Sequence, residues 1–112
     1  VHSFSKEDVN DKVDRTVEKF RNARSSKMER KDAVRELVDI LEFIRPLIKD
    51  VLSTQDEKDI FNIANNFGLR HHNNRQKTEY DSIWLSWMFH FFLASLHAAL
   101  HYARLKEDAL FE

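Results

Sequence analysis

The chain has 112 residues, with 18 Lys and Arg against 19 Asp and Glu, so its formal charge of -1 creates no global field toward nucleic acid or an anionic membrane. It carries one Gly, one Pro and no Cys. The first two counts are too low for the hairpins and tight turns of a sheet protein, and the third excludes disulfides, thiolate catalysis and cysteine-bound metal centres. What remains is a single all-α domain over residues 1–112 with one core, and a cytoplasmic location is the matching expectation. Val1-His2-Ser3-Phe4 has neither the apolar core of a signal peptide nor an initiator Met, which points to a processed end or an excised domain with a partner domain elsewhere.

The first helix is predicted over about residues 6–24. Val9, Val13, Val17 and Phe20 share one stripe, and charged residues fill the opposite face. Ser5 with Asp8 reads as a capping-box variant, and Phe4 against Val9 as its hydrophobic staple.

The second helix is predicted over about 27–53, opened by a capping box of Ser26 and Glu29. Val34, Leu37, Val38, Leu41, Ile44, Ile48, Val51 and Leu52 form its stripe, and Ala33, Ile40 and Leu47 widen it, so this helix touches more than one neighbour. Pro46 cannot donate to the carbonyl of Glu42 and predicts a kink or break near Arg45, where the helix bends around the core. The third helix, about 55–67, takes Thr54 and Glu57 as its capping box and Ile60, Phe61, Ile63, Ala64 and Phe67 as its apolar face. Gly68, the only glycine, stands at the left-handed C′ position, with Leu69 folding back on Ala64.

The fourth helix, about 79–107, starts at Thr78 and Asp81 and has no Asp, Glu, Lys or Arg from Ser82 to Ala103. Its length suits a membrane span, and Trp84, Trp87, Tyr102 and Arg104 imitate an interfacial belt. Ser86, His90, Ser95 and His97 would then sit in hydrocarbon, and three amphipathic helices would lose the partner their stripes require, so no membrane is expected. Phe89, Phe91, Phe92, Leu93, Leu96 and Leu100 point around most of the circumference. That pattern predicts burial on two sides, by the other helices and by an identical copy, in a homodimer through the 82–103 helix; a partner domain is the alternative cover. The fold expected is a four-helix bundle-like domain with a kinked second helix and a highly apolar, buried fourth helix.

Chemistry concentrates between the last two helices, in Arg70-His71-His72-Asn73-Asn74-Arg75-Gln76-Lys77. Like-charge repulsion from the arginines favours neutral imidazoles at His71 and His72, which could serve as bases or acceptors. Arg70, Arg75 and Lys77, with the first N–H groups of the following helix, could hold a phosphate or carboxylate. Asn73, Asn74 and Gln76 could read a base edge or cap the turn. The bland alternative is a solvated loop in which Arg70 pairs with a carboxylate and the Asn residues serve turn geometry.

His90, His97 and His101 lie near one face, the last two one turn apart, a spacing that can bind zinc or haem. No Glu or Asp accompanies them and the Glu-x-x-His pattern of di-iron bundles is absent, so they are expected to be packed or interfacial histidines; no metal and no cofactor is expected. A Gly-rich phosphate loop, HExxH, GxSxG and paired carboxylates of known spacing are all missing.

Phe67-Gly68-Leu69-Arg70-His71, placed before an apolar last helix, resembles the HEPN family of small all-α domains in prokaryotic toxin–antitoxin, phage-defence and RNA-processing proteins. In that family an Arg is followed by a polar residue and then by a His, four to six residues intervening, at a dimer interface that forms a metal-independent ribonuclease site. Here the positions for that His are Arg75, Gln76 and Lys77, so only Arg70 and His71 carry over as motif-like positions, and the resemblance implies a divergent member. The leading expectation is a dimeric helical module whose Arg70 to Lys77 surface recognises RNA, a nucleotide or another anionic partner. One alternative is an active ribonuclease with His71 or His72 as general base and Arg70 stabilising the phosphorane charge. The other is a structural interaction domain without a ligand.

Overall fold

The computed structural model describes residues 6–51, 53–66 and 82–111. Among them the chain is all-helical, with α1 Lys6–Arg21, α2 Lys27–Phe43, α3 Arg45–Val51, α4 Thr54–Asn66 and α5 Ser82–Phe111. Five helices therefore stand where four were expected, and the boundaries differ for reasons visible in the hydrogen bonds.

α1 buries Val9, Val13 and Thr16 and half-buries Val17 and Phe20, the expected stripe with Thr16 added. It stops at Arg21 rather than near 24. The Asn22 side chain turns the chain by accepting from the Arg24 N–H at 2.9 Å. Arg30 of α2 donates to the carbonyls of Phe20 and Asn22, both at 3.3 Å, and so satisfies groups that a helix end leaves open.

The capping box at the start of α2 is formed in full: the Ser26 hydroxyl accepts from the Glu29 N–H, and Glu29 Oε1 accepts from the Ser26 N–H, each at 3.1 Å. The Ser26 backbone N–H and then its hydroxyl hold the Glu29 carboxyl below its ordinary value. A carboxylate depressed in the folded state supports folding above its unfolded pKa and loses that support as pH falls through the folded one.

The helix expected over 27–53 is two helices. Pro46 has no N–H to offer Glu42 and its ring opposes a continuous turn. The chain breaks at Ile44, whose carbonyl accepts from both Leu47 at 2.9 Å and Ile48 at 3.0 Å. Ile44 and Ile48 stay fully buried across the break, so the apolar stripe continues from α2 into α3.

α4 opens one residue earlier than the predicted capping box implies. The Ser53 hydroxyl accepts from the Asp56 N–H at 3.1 Å and donates to Asp56 Oδ2 at 2.8 Å, so Ser53 and Asp56 take the roles expected of Thr54 and Glu57. Glu57 is instead only 3% exposed and accepts a charge-assisted hydrogen bond from Arg45 Nε, whose guanidinium also lies 4.1 Å from the centre of the Phe61 ring. This pair, buried on its Glu57 side, ties the first turn of α3 to α4.

The core is assembled on α2, which contacts α1, α3 and α5. Ala33, Val34, Leu37, Val38, Ile40 and Leu41 are its buried residues. α5 supplies Leu85, Met88, Phe89, Phe92, Leu93, Leu96 and Ala99, and Phe89 stacks on Phe20 of α1 with ring centres 3.9 Å apart. α1 and α2 are also clipped at the surface: Glu36 accepts from the Thr16 hydroxyl and from Lys19 Nζ, each at 3.1 Å.

Two stability predictions follow from these contacts. Phe89→Ala, at the junction of α1, α2 and α5, is expected to cost about 3–5 kcal/mol in urea unfolding, because it removes apolar burial and leaves a cavity. Arg45→Met is expected to cost about 1–3 kcal/mol by stranding the Glu57 carboxylate, more than Glu57→Gln costs, and the double variant should cost less than the sum.

Candidate functional site

Arg70, His71, His72, Asn73, Asn74, Arg75, Gln76 and Lys77 lie outside the described residues, as do the flanking signals at Gly68, Leu69, Thr78 and Asp81. They fall between Asn66, the last residue of α4, and Ser82, the first of α5. The described residues that bear on function are those of α5.

α5 is two-faced. Phe89, Phe92, Leu93 and Leu96, four of the six residues expected to need a second cover, are buried within the chain itself, and Phe91 and Leu100 are half-buried against the same core. The uncovered apolar residues are different ones: Ile83 is 71% exposed, Tyr102 53%, Trp84 48% and Trp87 43%. Hydrophobicity alone does not separate the two sets, because both are apolar; their angle around the helix does.

The exposed side has a period of its own. Ile83, Trp87, His90, Ala94, His97 and His101 are all exposed and follow one another at spacings of four, three, four, three and four. This is the 3.5-residue spacing that helix-pairing seams use, sustained for more than two heptads. The pattern was legible in the sequence as a heptad and was hidden by the apolar residues between its members.

Aromatic rings order one edge of this seam. Trp84 meets Trp87 edge-on with centres 5.9 Å apart, Trp87 stacks on Phe91 at 5.6 Å, and Phe91 meets the buried Phe92 at 5.4 Å. The exposed indoles are thereby held against the core rather than left to many rotamers, which reduces the entropy lost when another surface covers them.

The three histidines are exposed, not packed within the chain. His90 meets Phe89 edge-on at 5.4 Å and His101 meets Tyr102 at 5.8 Å. Among the described residues no three His, Cys, Asp or Glu side chains gather as metal donors. Ser82–Tyr102 is long and apolar enough to cross a membrane by length and composition, with 39% of its most apolar window buried in the fold.

A second region is the open groove between α1 and α2, about 1240 Å³, floored by Val9, Ile40 and Phe43 and rimmed by charges of both signs. Partial burial first, then the neighbouring Glu42 carboxylate, raises Asp39 above its ordinary value. The Glu36 carboxylate is engaged by Thr16 and Lys19, and the rim presents mixed charge rather than a general acid set against a base. No protein family, curated protein or solved structure matches the chain.

Asp39 supplies a pH test. A raised folded-state pKa favours the protonated carboxyl, so the ionised group opposes folding once pH rises through that value. Asp39→Asn should therefore raise thermal stability at neutral pH by no more than about 0.5 kcal/mol, and the gain should vanish in acid, where both side chains are neutral.

Proposed function

We propose that this chain is a self-associating helical interaction module, bundle-like and HEPN-like in layout, in which α5 joins two copies and the Arg70 to Lys77 segment recognises RNA, a nucleotide or another anionic partner. The observation that carries this reading is the exposed seam of α5: a heptad-spaced, charge-free face edged by Trp84, Trp87 and Tyr102. A face without formal charge can meet its own copy without repulsion, and exposed aromatic clusters of this kind mark interaction surfaces.

Anion recognition rests on the composition of the Arg70 to Lys77 segment, which carries three cationic side chains, two imidazoles and three amides with no carboxylate. Such a segment offers charge for phosphate, and amides and imidazoles for sugar or base edges. A soluble chain is the setting this reading takes, because α5 lays one face on the amphipathic α2, and a cytoplasmic location is proposed on the lack of cysteine. A prokaryotic toxin–antitoxin or phage-defence setting is the one that the resemblance of Phe67 to His71 to the HEPN motif supports.

The test uses purified chain and an Arg70→Ala/His72→Ala variant with labelled RNA, scoring binding and cleavage across a salt series. Binding should weaken steeply as salt rises, as phosphate contacts require, and the variant should bind at least about tenfold more weakly. Binding that is absent or insensitive to salt removes the nucleic-acid reading. Cleavage lost in the variant would convert it to the ribonuclease reading. Light scattering should give a dimer mass for the wild type and a monomer for Trp87→Glu; a wild-type monomer at high micromolar concentration, with or without added divalent metal, overturns the self-association.

A further inference from the structure

One chain offers two imidazoles on the α5 seam at the spacing used to grip a metal ion. In His97-Ala98-Ala99-Leu100-His101 the histidines are four residues apart, so both project from one face, one turn above the other. Both are exposed. The ring of Tyr102 lies against His101, and His97 makes no hydrogen bond or ion pair among the described residues. Ala94 and Ala98, on the same side of the helix, put no bulk in front of the pair.

We propose that His97 and His101 are half of a transition-metal site, best suited to zinc, that a second copy of the chain completes. The proposal rests on the self-association read above and adds a ligand to it. Zinc takes four ligands in structural sites, with Zn–N distances of about 2.0–2.1 Å, and a lone pair of imidazoles leaves it half coordinated. His90 cannot supply the remainder to the same ion, because seven residues along the helix place it about 10 Å away.

The seam supplies the missing half by symmetry. In a parallel, in-register pairing of a 3.5-residue repeat, each seam layer meets the same layer of its copy. His97 and His101 occupy consecutive layers, so two copies bring four imidazoles to one place. Neutral nitrogen donors select zinc, nickel or copper over calcium and magnesium, which require oxygen ligands. Arg104, exposed one turn further on, opposes a cation there, and the remaining seam from Ser82 to His101 adds no charge.

The apolar seam by itself is close to the minimum for a stable pair. A helix of 21 residues is about 31 Å long, and covering Trp84, Trp87 and Tyr102 with Ile83, Phe91 and the histidines removes roughly 600 Å² per copy from water. Specific interfaces bury about 1,200 Å² or more in total. Metal bridging would turn a marginal pairing into a defined one.

The experiment titrates zinc sulfate into full-length, EDTA-stripped protein while sedimentation velocity reads mass and calorimetry reads stoichiometry. One zinc should bind per two chains and lower the dimer dissociation constant at least about tenfold, equivalent to about 1.4 kcal/mol. EDTA should reverse the effect, and magnesium or calcium should not reproduce it. His97→Ala/His101→Ala should lose both responses with an unchanged circular dichroism spectrum, since Ala is helix-favouring and both positions are exposed. His90→Ala should retain them. Zinc binding of one ion per chain without a change in mass, or a zinc response that survives the double variant, overturns the proposal. If wild type and double variant are dimers that ignore zinc, the metal site falls and self-association stands; a monomer under every condition removes both.

Discussion

The contact between the inner face of α5 and α2 organises the rest of the described fold. α5 contributes Leu85, Met88, Phe89, Phe92 and Leu96, and α2 contributes Val34, Leu37, Val38 and Leu41, all essentially without exposure. α1 then closes over this pair through Val9, Val13 and the Phe20 ring on Phe89, and the α2 stripe runs on through Ile44, between the two helices, to Ile48 of α3. Among the described residues, burial of these stripes is the main term opposing chain entropy.

That contact also fixes what α5 leaves exposed. From Ser82 to Ala103 this helix has no charged face to give to water, so once α2 and its neighbours cover one side, the opposite side presents Ile83, Trp84, Trp87 and Tyr102 beside the three histidines. A face with aromatic edges, small residues at Ala94 and Ala98 and histidines at seam positions has the makings of a pairing surface. Fold and proposed function are thus two consequences of one helix: its inner side holds the domain together, and its outer side is available to a copy.

The ionic features have a smaller, local role. Arg45 and Glu57 link α3 to α4 at a place where Pro46 has interrupted the helix, and Arg30 closes the end of α1. A pair with one half-exposed partner adds little net stability, although removing that partner strands the buried carboxylate. The Thr16, Lys19 and Glu36 cluster links α1 to α2 at a more exposed position, where screening weakens it.

Much of the architecture was legible in local chemistry. The low Gly and Pro counts excluded a sheet, the Val9 to Phe20 and Val34 to Leu41 stripes located two helices, and the Ser26 and Glu29 box placed a helix start to the residue. Capping and periodicity act within a few residues, so sequence alone determines them. The Ser53 cap was misread because two adjacent hydroxyl residues each have an acidic residue three positions on; only the burial of Glu57 against Arg45 separates them. Likewise, sequence established that α5 is apolar around most of its circumference from Ser82 to Ala103, and only tertiary packing decided that Phe89, Phe92 and Leu96 face inward while Trp84, Trp87, His97 and His101 face out. The reason is physical: hydrophobicity is a property of a residue, whereas which side of a helix is covered depends on where its neighbours pack.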